Sequence, residues 1–323
     1  MELFASLTSK IKGKNIKIVF PEGTEPRILG AASRLKADGV LTPVVLGDVT
    51  KVKQVAAEHD FDLTGIEIID PANSADFASL VAAFVERRKG KNTKEQAETM
   101  LLDENYFGTM LVYTVAVDGM VSGAVHPTGD TVRPALQIIK TKPGVSRTSG
   151  AFIMTKGKER YLFSDCAINV DPNAQELAEI AVESAKTAAL FDIDPRVALL
   201  SFSTKGSAKA DVVTKVQEAT KLAQTAAPEY QIDGELQFDA AYVSSVGQQK
   251  APDSKVAGQA TVFVFPELQA GNIGYKIAQR FGGFEAVGPI LQGLNNPVSD
   301  LSRGANEEDV YKLAIITAAQ TLM

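Results

Sequence analysis

The sequence predicts an α/β protein of two domains built on mainly parallel sheets, and three observations predict it. Short β-branched runs alternate with longer helical patterns along the chain, as in a parallel sheet covered by helices on both faces. The 323 residues exceed the roughly 250–300 at which a single core stops growing. Pro and Gly punctuate Lys140–Gly144 and the loop near Asn295–Pro297, which marks two crossings between domains. The expected division is 1–142 plus 297–323 for a discontinuous first domain, and 143–296 for the second.

Taken in order, Ile16–Phe20 is the first strand, followed by Pro-Glu-Gly and a helix over Pro26–Asp38 that opens on proline and stops at Gly39. Leu41–Leu46 and Ile66–Ile69 are further strands, and Ser74 caps a helix over Ala75–Arg88. Helical patterns cover Thr93–Asp103 and Tyr106–Val117, a short extended run covers Met120–Val125, and a helix spans Thr131–Ile139. Beyond the first crossing, Ala151–Thr155 and Tyr161–Phe163 form a hairpin turned by Lys156-Gly157-Lys158. Helix Asn173–Leu190, strand Val197–Phe202, helix Ala208–Ala226, strand Thr261–Phe265 and helix Gly271–Gln279 continue the alternation, and a last helix covers Glu307–Leu322. Ligands of such sheets bind beyond the carboxyl ends of strands, so the loops after Phe20, Phe202 and Phe265 are the places to look.

Composition narrows the function classes. Hydrophobic residues make up 45% and charged residues 22%, as in a folded soluble protein. Acidic residues outnumber basic ones 39 to 33, for a net charge of −6. A net-acidic chain without a basic stripe is a poor nucleic-acid binder, so any anion must sit in a local pocket. No apolar run approaches the ~18–20 residues that span a bilayer, and Met1-Glu2-Leu3-Phe4 carries an acid early, without a signal-peptide core. The single cysteine, Cys166, excludes an internal disulfide and agrees with a reducing compartment. The expectation is a cytoplasmic enzyme that engages neither membrane nor nucleic acid.

Several signatures are missing. There is no Gly-x-Gly dinucleotide fingerprint, no P-loop spacing before a Gly-Lys pair and no Gly-x-Ser-x-Gly elbow. With only His59 and His126, a His-x-x-x-His zinc site is impossible, and no metal is expected. The most informative stretch is Gly288–Asp309, read as a loop turning into a helix. It places Ser302, Arg303, Gly304 and Asp309 where helix N–H groups and dipole favour anions. Arg303 offers a donor fork suited to phosphate, and Asp309 a proton acceptor, although a helix-capping role competes for Asp309. Ser201–Ser207, with Lys205 and Ser207, reads equally as a phosphate cradle or a capped strand-to-helix loop. Arg133, in the first turn of a helix, and Pro266–Lys276, joining a strand to a helix, both have ordinary surface or turn readings. Cys166 reads as a buried structural thiol rather than a nucleophile.

On these residues the chain resembles the phosphate acetyltransferase (phosphotransacetylase) family in its short form, without N-terminal regulatory domains. The resemblance runs through Ile18–Gly23, His126–Gly144, Phe163–Cys166, Ser201–Ser207 and Phe265–Asp309. Pro266–Lys276, Gly288–Gln292 with Gly293, and Asp300–Gly304 are its most specific pieces. It implies two α/β domains with a cleft between them, a fold similar to the isopropylmalate dehydrogenase-like enzymes, and a homodimer. It implies reversible acetyl transfer between coenzyme A and inorganic phosphate by direct thiolate attack in a ternary complex. Coenzyme A is then a substrate, and no cofactor is called for. Matched residue by residue, Ser302, Arg303 and Asp309 take the catalytic positions, and Arg280, Arg133 and Arg87 (preferred over Arg88) the phosphate or acetyl phosphate positions. Lys276, Asn272, Ser207 and Lys205 are the coenzyme A candidates. Gly129 departs from the family's usual alanine. The competing readings are butyryl rather than acetyl specificity, a metal- and NAD-dependent dehydrogenase of similar fold, and an acyl-CoA-binding protein without turnover.

Overall fold

Side-chain acceptors at helix entries decide where many of the helices begin. The computed structural model describes residues 3–323. Helix α1 (Leu3–Ile11) leads into β1 (Lys17–Phe20), then α2 (Pro26–Ala37), entered through Glu25, which accepts the Arg27 N–H. Next come β2 (Thr42–Leu46), α3 (Val49–Glu58, capped by Asp48), β3 (Glu67–Ile69) and α4 (Phe77–Arg88). They are followed by α5 (Lys94–Met100), α6 (Glu104–Tyr113), β4 (Gly119–Ser122) and α7 (Thr128–Ile138).

The chain then builds β5 (Ser149–Lys156), β6 (Glu159–Ser164), α8 (Ala174–Leu190), β7 (Arg196–Leu200) and α9 (Asp211–Ala226). It continues through β8 (Gln231–Leu236), α10 (Phe238–Tyr242), α11 (Ser244–Lys250), β9 (Val262–Val264), α12 (Leu268–Arg280) and β10 (Glu285–Gln292). It closes with β11 (Val298–Asp300) and α13 (Glu307–Gln320).

Two compact units result, one from the segment ending at Lys140 together with Leu294–Met323, the other Thr141–Gly293. The crossings lie at 140/141 and 293/294, a few residues before the positions expected from proline. Backbone pairing places them: the Asn295 N–H donates to the Lys140 carbonyl inside the first unit, and the Lys142 N–H to the Gly293 carbonyl inside the second.

The first unit holds a parallel sheet in the order β11-β4-β1-β2-β3. Its central strand buries Ile18, Val19 and Phe20 completely, and α13 packs on this sheet beside α1 and α2 through Val310, Leu313, Ala314 and Ile316. Strands buried on both faces read as continuous apolar runs, which is why Ile16–Phe20 was legible. The second unit's sheet has the order β10-β5-β6-β9-β7-β8. Its β6, β9, β7 and β8 are parallel, while β10-β5 and β5-β6 are antiparallel, around a core rich in Phe152, Phe163, Phe263 and Phe265.

Several expectations are corrected. Gly288–Gln292 belongs to β10 and is not a loop; the strand tolerates Gly288-Pro289 because it is an edge strand whose pairing shifts between Val287 and Ile290. Strand β8 was not expected, since Asp233-Gly234 interrupts its alternation; it too lies at a sheet edge. The short helices α10 and α11 were also not expected. The run Met120–Val125 stops as a strand at Ser122, because the chain turns at Gly123. Among the described residues no helix is long and apolar enough to cross a membrane.

Candidate active site

Strands β11, β4 and β1 lie side by side and parallel, so the loops after them stand at one edge of the first sheet. Asp300 is level with Ser122, and the Leu301 N–H donates to the Ser122 carbonyl at 2.7 Å. So close an approach requires glycine at 123. Its φ is +109°, and an added Cβ would stand 2.5 Å from Asp300 Oδ1 and 2.7 Å from the Leu301 nitrogen.

The β4 loop winds around a buried carboxylate. Glu22 Oε2 accepts the N–H groups of Gly123 at 3.1 Å and Ala124 at 2.8 Å. Its Oε1 accepts those of Val125 at 2.9 Å and His126 at 3.0 Å, and lies 2.7 Å from His126 Nδ1. Hydrogen bonds to an ionised acceptor are the strong ones, and this set fixes the path of the loop.

Arg27 joins that loop to the next. Its Nε donates to Glu25 at 2.7 Å, one terminal nitrogen to the carbonyls of Arg303 at 3.0 Å and Ala305 at 2.6 Å, and the other to Ala124 at 3.0 Å. The pairing holds the Glu25 carboxyl below its ordinary range.

Asp300 ends β11 in a buried position. Burial pushes its carboxyl up to about 6; the nearby Thr128 and Thr131 hydroxyls pull it down, and the Glu22 charge pushes it further up. Among the described residues its Oδ1 has no hydrogen-bond partner.

Beyond Asp300 the chain presents the three expected catalytic residues on one loop-to-helix corner. Leu301 and Ala305 are buried anchors, while Ser302, Arg303 and Asp309 are exposed. Ser302 holds the turn, its carbonyl accepting the Ala305 N–H at 2.9 Å and its Oγ the Gly304 N–H at 3.3 Å. Asp309 and Asn306 form a reciprocal capping box at the start of α13. Asn306 Oδ1 accepts the Asp309 N–H at 3.0 Å, and Asp309 Oδ2 accepts the Asn306 N–H at 2.9 Å. The capping role is therefore real, and it leaves Oδ1 of Asp309 outside the box.

The arginines divide. Arg133 is exposed on α7, 3.9 Å from Asp130. Arg87 is half-buried at the end of α4. It donates to the carbonyls of Ile138 at 2.6 Å and Ile139 at 3.1 Å, and lies over the Tyr113 ring at 4.8 Å. It thus terminates α7 by satisfying orphan carbonyls, a second role beside the one the resemblance implied.

In the second unit, α12 carries Arg280, exposed at its last turn, with Lys276 and Asn272. Lys276 Nζ donates to Asn272 Oδ1 at 2.7 Å, and Asn272 Nδ2 to the Cys166 carbonyl at 3.1 Å. The loop after β7 is occupied by its own protein. Buried Glu235 accepts Ser203 Oγ at 2.9 Å and the Gly206 N–H at 2.7 Å, Lys205 is paired with Asp233, and Ser207 Oγ accepts the Thr204 N–H at 3.0 Å. Asp165 is buried and pins backbone: it accepts the N–H groups of Gly150, Ala167, Ile168 and Asn169. Burial raises the Cys166 thiol well above its ordinary pKa, so it is a poor nucleophile.

Residues 2–318 match the family described as phosphate acetyl/butaryl transferase. The chain belongs to this family. It is 63% identical over 321 residues, covering 99% of both chains, to a protein of Bacillus subtilis (strain 168) named phosphate acetyltransferase. A solved phosphotransacetylase from Streptococcus pyogenes superposes with a TM-score of 0.98 at 62% identity, over 99% of this chain and 98% of that one. At the level of fold alone, the likeness extends to a Salmonella typhimurium structure ascribed to a 4-hydroxythreonine-4-phosphate dehydrogenase, with TM-score 0.55, 13% identity, 94% of this chain and 99% of that one. The dehydrogenase-like fold implied by the resemblance is thus observed.

Glu22, Arg27 and Asp300 were not singled out in the sequence. A carboxylate just after an apolar central strand was a usable signal for Glu22. Arg27 carried none, since an arginine in a first helical turn is ordinary.

Proposed function

We propose that this chain is a phosphate acetyltransferase, which moves an acetyl group reversibly between coenzyme A and inorganic phosphate with both substrates bound together. The observation that carries the reading is the corner after β11, where Ser302 and Arg303, on a loop braced from behind, and Asp309, in the first turn of α13, are all exposed. Family membership supplies the reaction class.

In the direction of acetyl-CoA formation, the coenzyme A thiol gives its proton to Asp309 Oδ1, the oxygen outside the capping box. The sulfur attacks the acetyl carbonyl carbon of acetyl phosphate, and the π electrons move onto the carbonyl oxygen. Collapse re-forms the carbonyl and breaks the bond to phosphate, which leaves with the electron pair and takes up the proton. With ordinary values of ~8.5 for a thiol and ~3.9 for an aspartate, the first transfer is uphill by about 6 kcal/mol. Arg303 and the amino end of α13 narrow that gap by stabilising the thiolate. Arg303 with Ser302 stabilises the oxyanion.

Arg280, Arg133 and Arg87 are assigned to phosphate, and Lys276, Asn272, Ser207 and Lys205 to coenzyme A, by the family resemblance. Arg280 suits its role, because no hydrogen bond or ion pair among the described residues engages its guanidinium. Coenzyme A is a substrate in this scheme, and neither metal nor cofactor has a role. A homodimer is supported by Ile273, Ile277 and Phe281, a stripe at helical spacing that is 56%, 52% and 92% exposed. A cytoplasmic location is supported by the one free, buried cysteine.

The test is phosphate-dependent release of free thiol from acetyl-CoA, compared with butyryl-CoA. Release with acetyl-CoA at least as fast as with butyryl-CoA is expected. No release from either would sink the reading, and a clear preference for butyryl-CoA would replace acetyl by butyryl specificity.

A further inference from the structure

The loop that carries Ser302 and Arg303 is short of internal ties. Its turn is closed by the Ala305 N–H on the Ser302 carbonyl and the Gly304 N–H on Ser302 Oγ, while the Arg303 and Ala305 carbonyls have no donor within the loop. Both are taken by Arg27, from α2. The same guanidinium reaches the Ala124 carbonyl, in the loop that Glu22 pins through consecutive backbone N–H groups. Glu25 fixes the guanidinium by taking Nε at 2.7 Å. A planar fork with five donors can bridge two loops in one geometry; an ammonium is a single point and cannot.

We propose that Arg27 is a positioning residue for acetyl transfer, holding the Arg303 and Ala305 carbonyls against the β4 loop so that the Arg303 guanidinium keeps its aim. The carbonyl of residue 303 shares its Cα with the side chain, so freeing it turns the guanidinium. A displacement near 1 Å at such a group lowers turnover by about 10²-fold. Arg27 touches no reacting atom and acts through Arg303. This rests on the proposed role of that loop.

The experiment is steady-state kinetics on Arg27→Ala, Arg27→Lys, Arg303→Ala and the Arg27→Ala/Arg303→Ala double variant, with hydrogen–deuterium exchange over residues 301–306. The proposal requires kcat of Arg27→Ala to fall by about 10–100-fold, with KM for coenzyme A and phosphate changed less than about threefold. Lysine should not restore it, and the double variant should be no slower than Arg303→Ala, because groups acting through one another are not additive. The Gly304 and Ala305 amides should exchange faster in Arg27→Ala.

Near-normal kcat in Arg27→Ala, or losses that multiply in the double variant, would overturn the proposal. Should Arg27→Ala fail to fold, Arg27→Lys decides, since it keeps a cation opposite Glu25: wild-type turnover in it refutes the bridging role. Full activity in Arg303→Ala would instead refute the catalytic reading of the loop. The exchange data then judge the positioning alone, and unchanged exchange refutes it.

Discussion

Glu22 Oε1 accepts the backbone N–H of His126 at 3.0 Å and stands 2.7 Å from the same residue's Nδ1. One buried oxygen thus sets both the backbone and the ring of the residue that precedes Pro127 and α7. The pattern recurs in the second unit, where Asp165 gathers the N–H groups of Ala167 to Asn169, and Glu235 takes the Gly206 N–H and the Ser203 hydroxyl of the loop after β7. In this protein, buried carboxylates serve as internal anions around which loops at the carboxyl ends of strands are folded.

Glu22→Gln keeps the shape but turns half of the acceptor into a donor facing N–H groups. A destabilisation of about 3 kcal/mol or more is expected, since bonds to a charged acceptor are lost and buried donors are left unpaired. Urea unfolding checks it; a change below about 1 kcal/mol would show that water replaces the carboxylate.

Stability depends on pH through Asp300. Its folded pKa, about 6, lies above the ordinary value of 3.8, so between them the folded state holds a proton the unfolded state releases. The contribution is fully present below the lower value and is lost as pH rises through the upper one. At ~1.4 kcal/mol per pH unit, Asp300→Asn should gain about 2 kcal/mol relative to the parent between pH 4 and pH 7. Unfolding curves across that range test it, and a constant difference between the two proteins contradicts it.

Asp309→Asn separates the two roles of this residue. Asparagine still accepts the Asn306 N–H, so the cap survives and stability should change by less than about 1 kcal/mol. It cannot take the thiol proton, so turnover should fall by ~10²–10⁴ and recover in part at high pH, where the thiol ionises unaided. A variant with most of its turnover at neutral pH would reduce Asp309 to a cap. The search for a base would then have to pass over Asp165, whose oxygens are engaged by backbone.

Arg280→Ala and Arg87→Ala should behave differently. Arg280 is exposed, and its loss should leave the melting temperature unchanged while raising KM for phosphate far more than for coenzyme A. Arg87 ends α7 and covers Tyr113, so alanine there should destabilise by about 2 kcal/mol whatever it does to substrate. Parallel melting and kinetic measurements decide; a large loss of stability in Arg280→Ala would mean that this guanidinium ties the fold rather than phosphate.

Features that depend on near neighbours along the chain are legible before any folding. The apolar run Ile16–Phe20, the proline opening α2, the hairpin about Lys156-Gly157-Lys158, and the corner Ser302–Asp309 could all be read locally, because periodicity, turn chemistry and capping act over a few residues. The edge strands β8 and β10 could not, since their polar, Gly- and Pro-containing sequences become strands only when a neighbour supplies the other half of the ladder. Nor could the brace behind the candidate site. Glu22 meets Gly123 to His126, and Arg27 meets Arg303 and Ala305, across 101 to 278 residues of sequence. Those meetings follow from the order β11-β4-β1, which only the packed sheet sets. A carboxylate or guanidinium carries no local mark of which distant backbone it will hold.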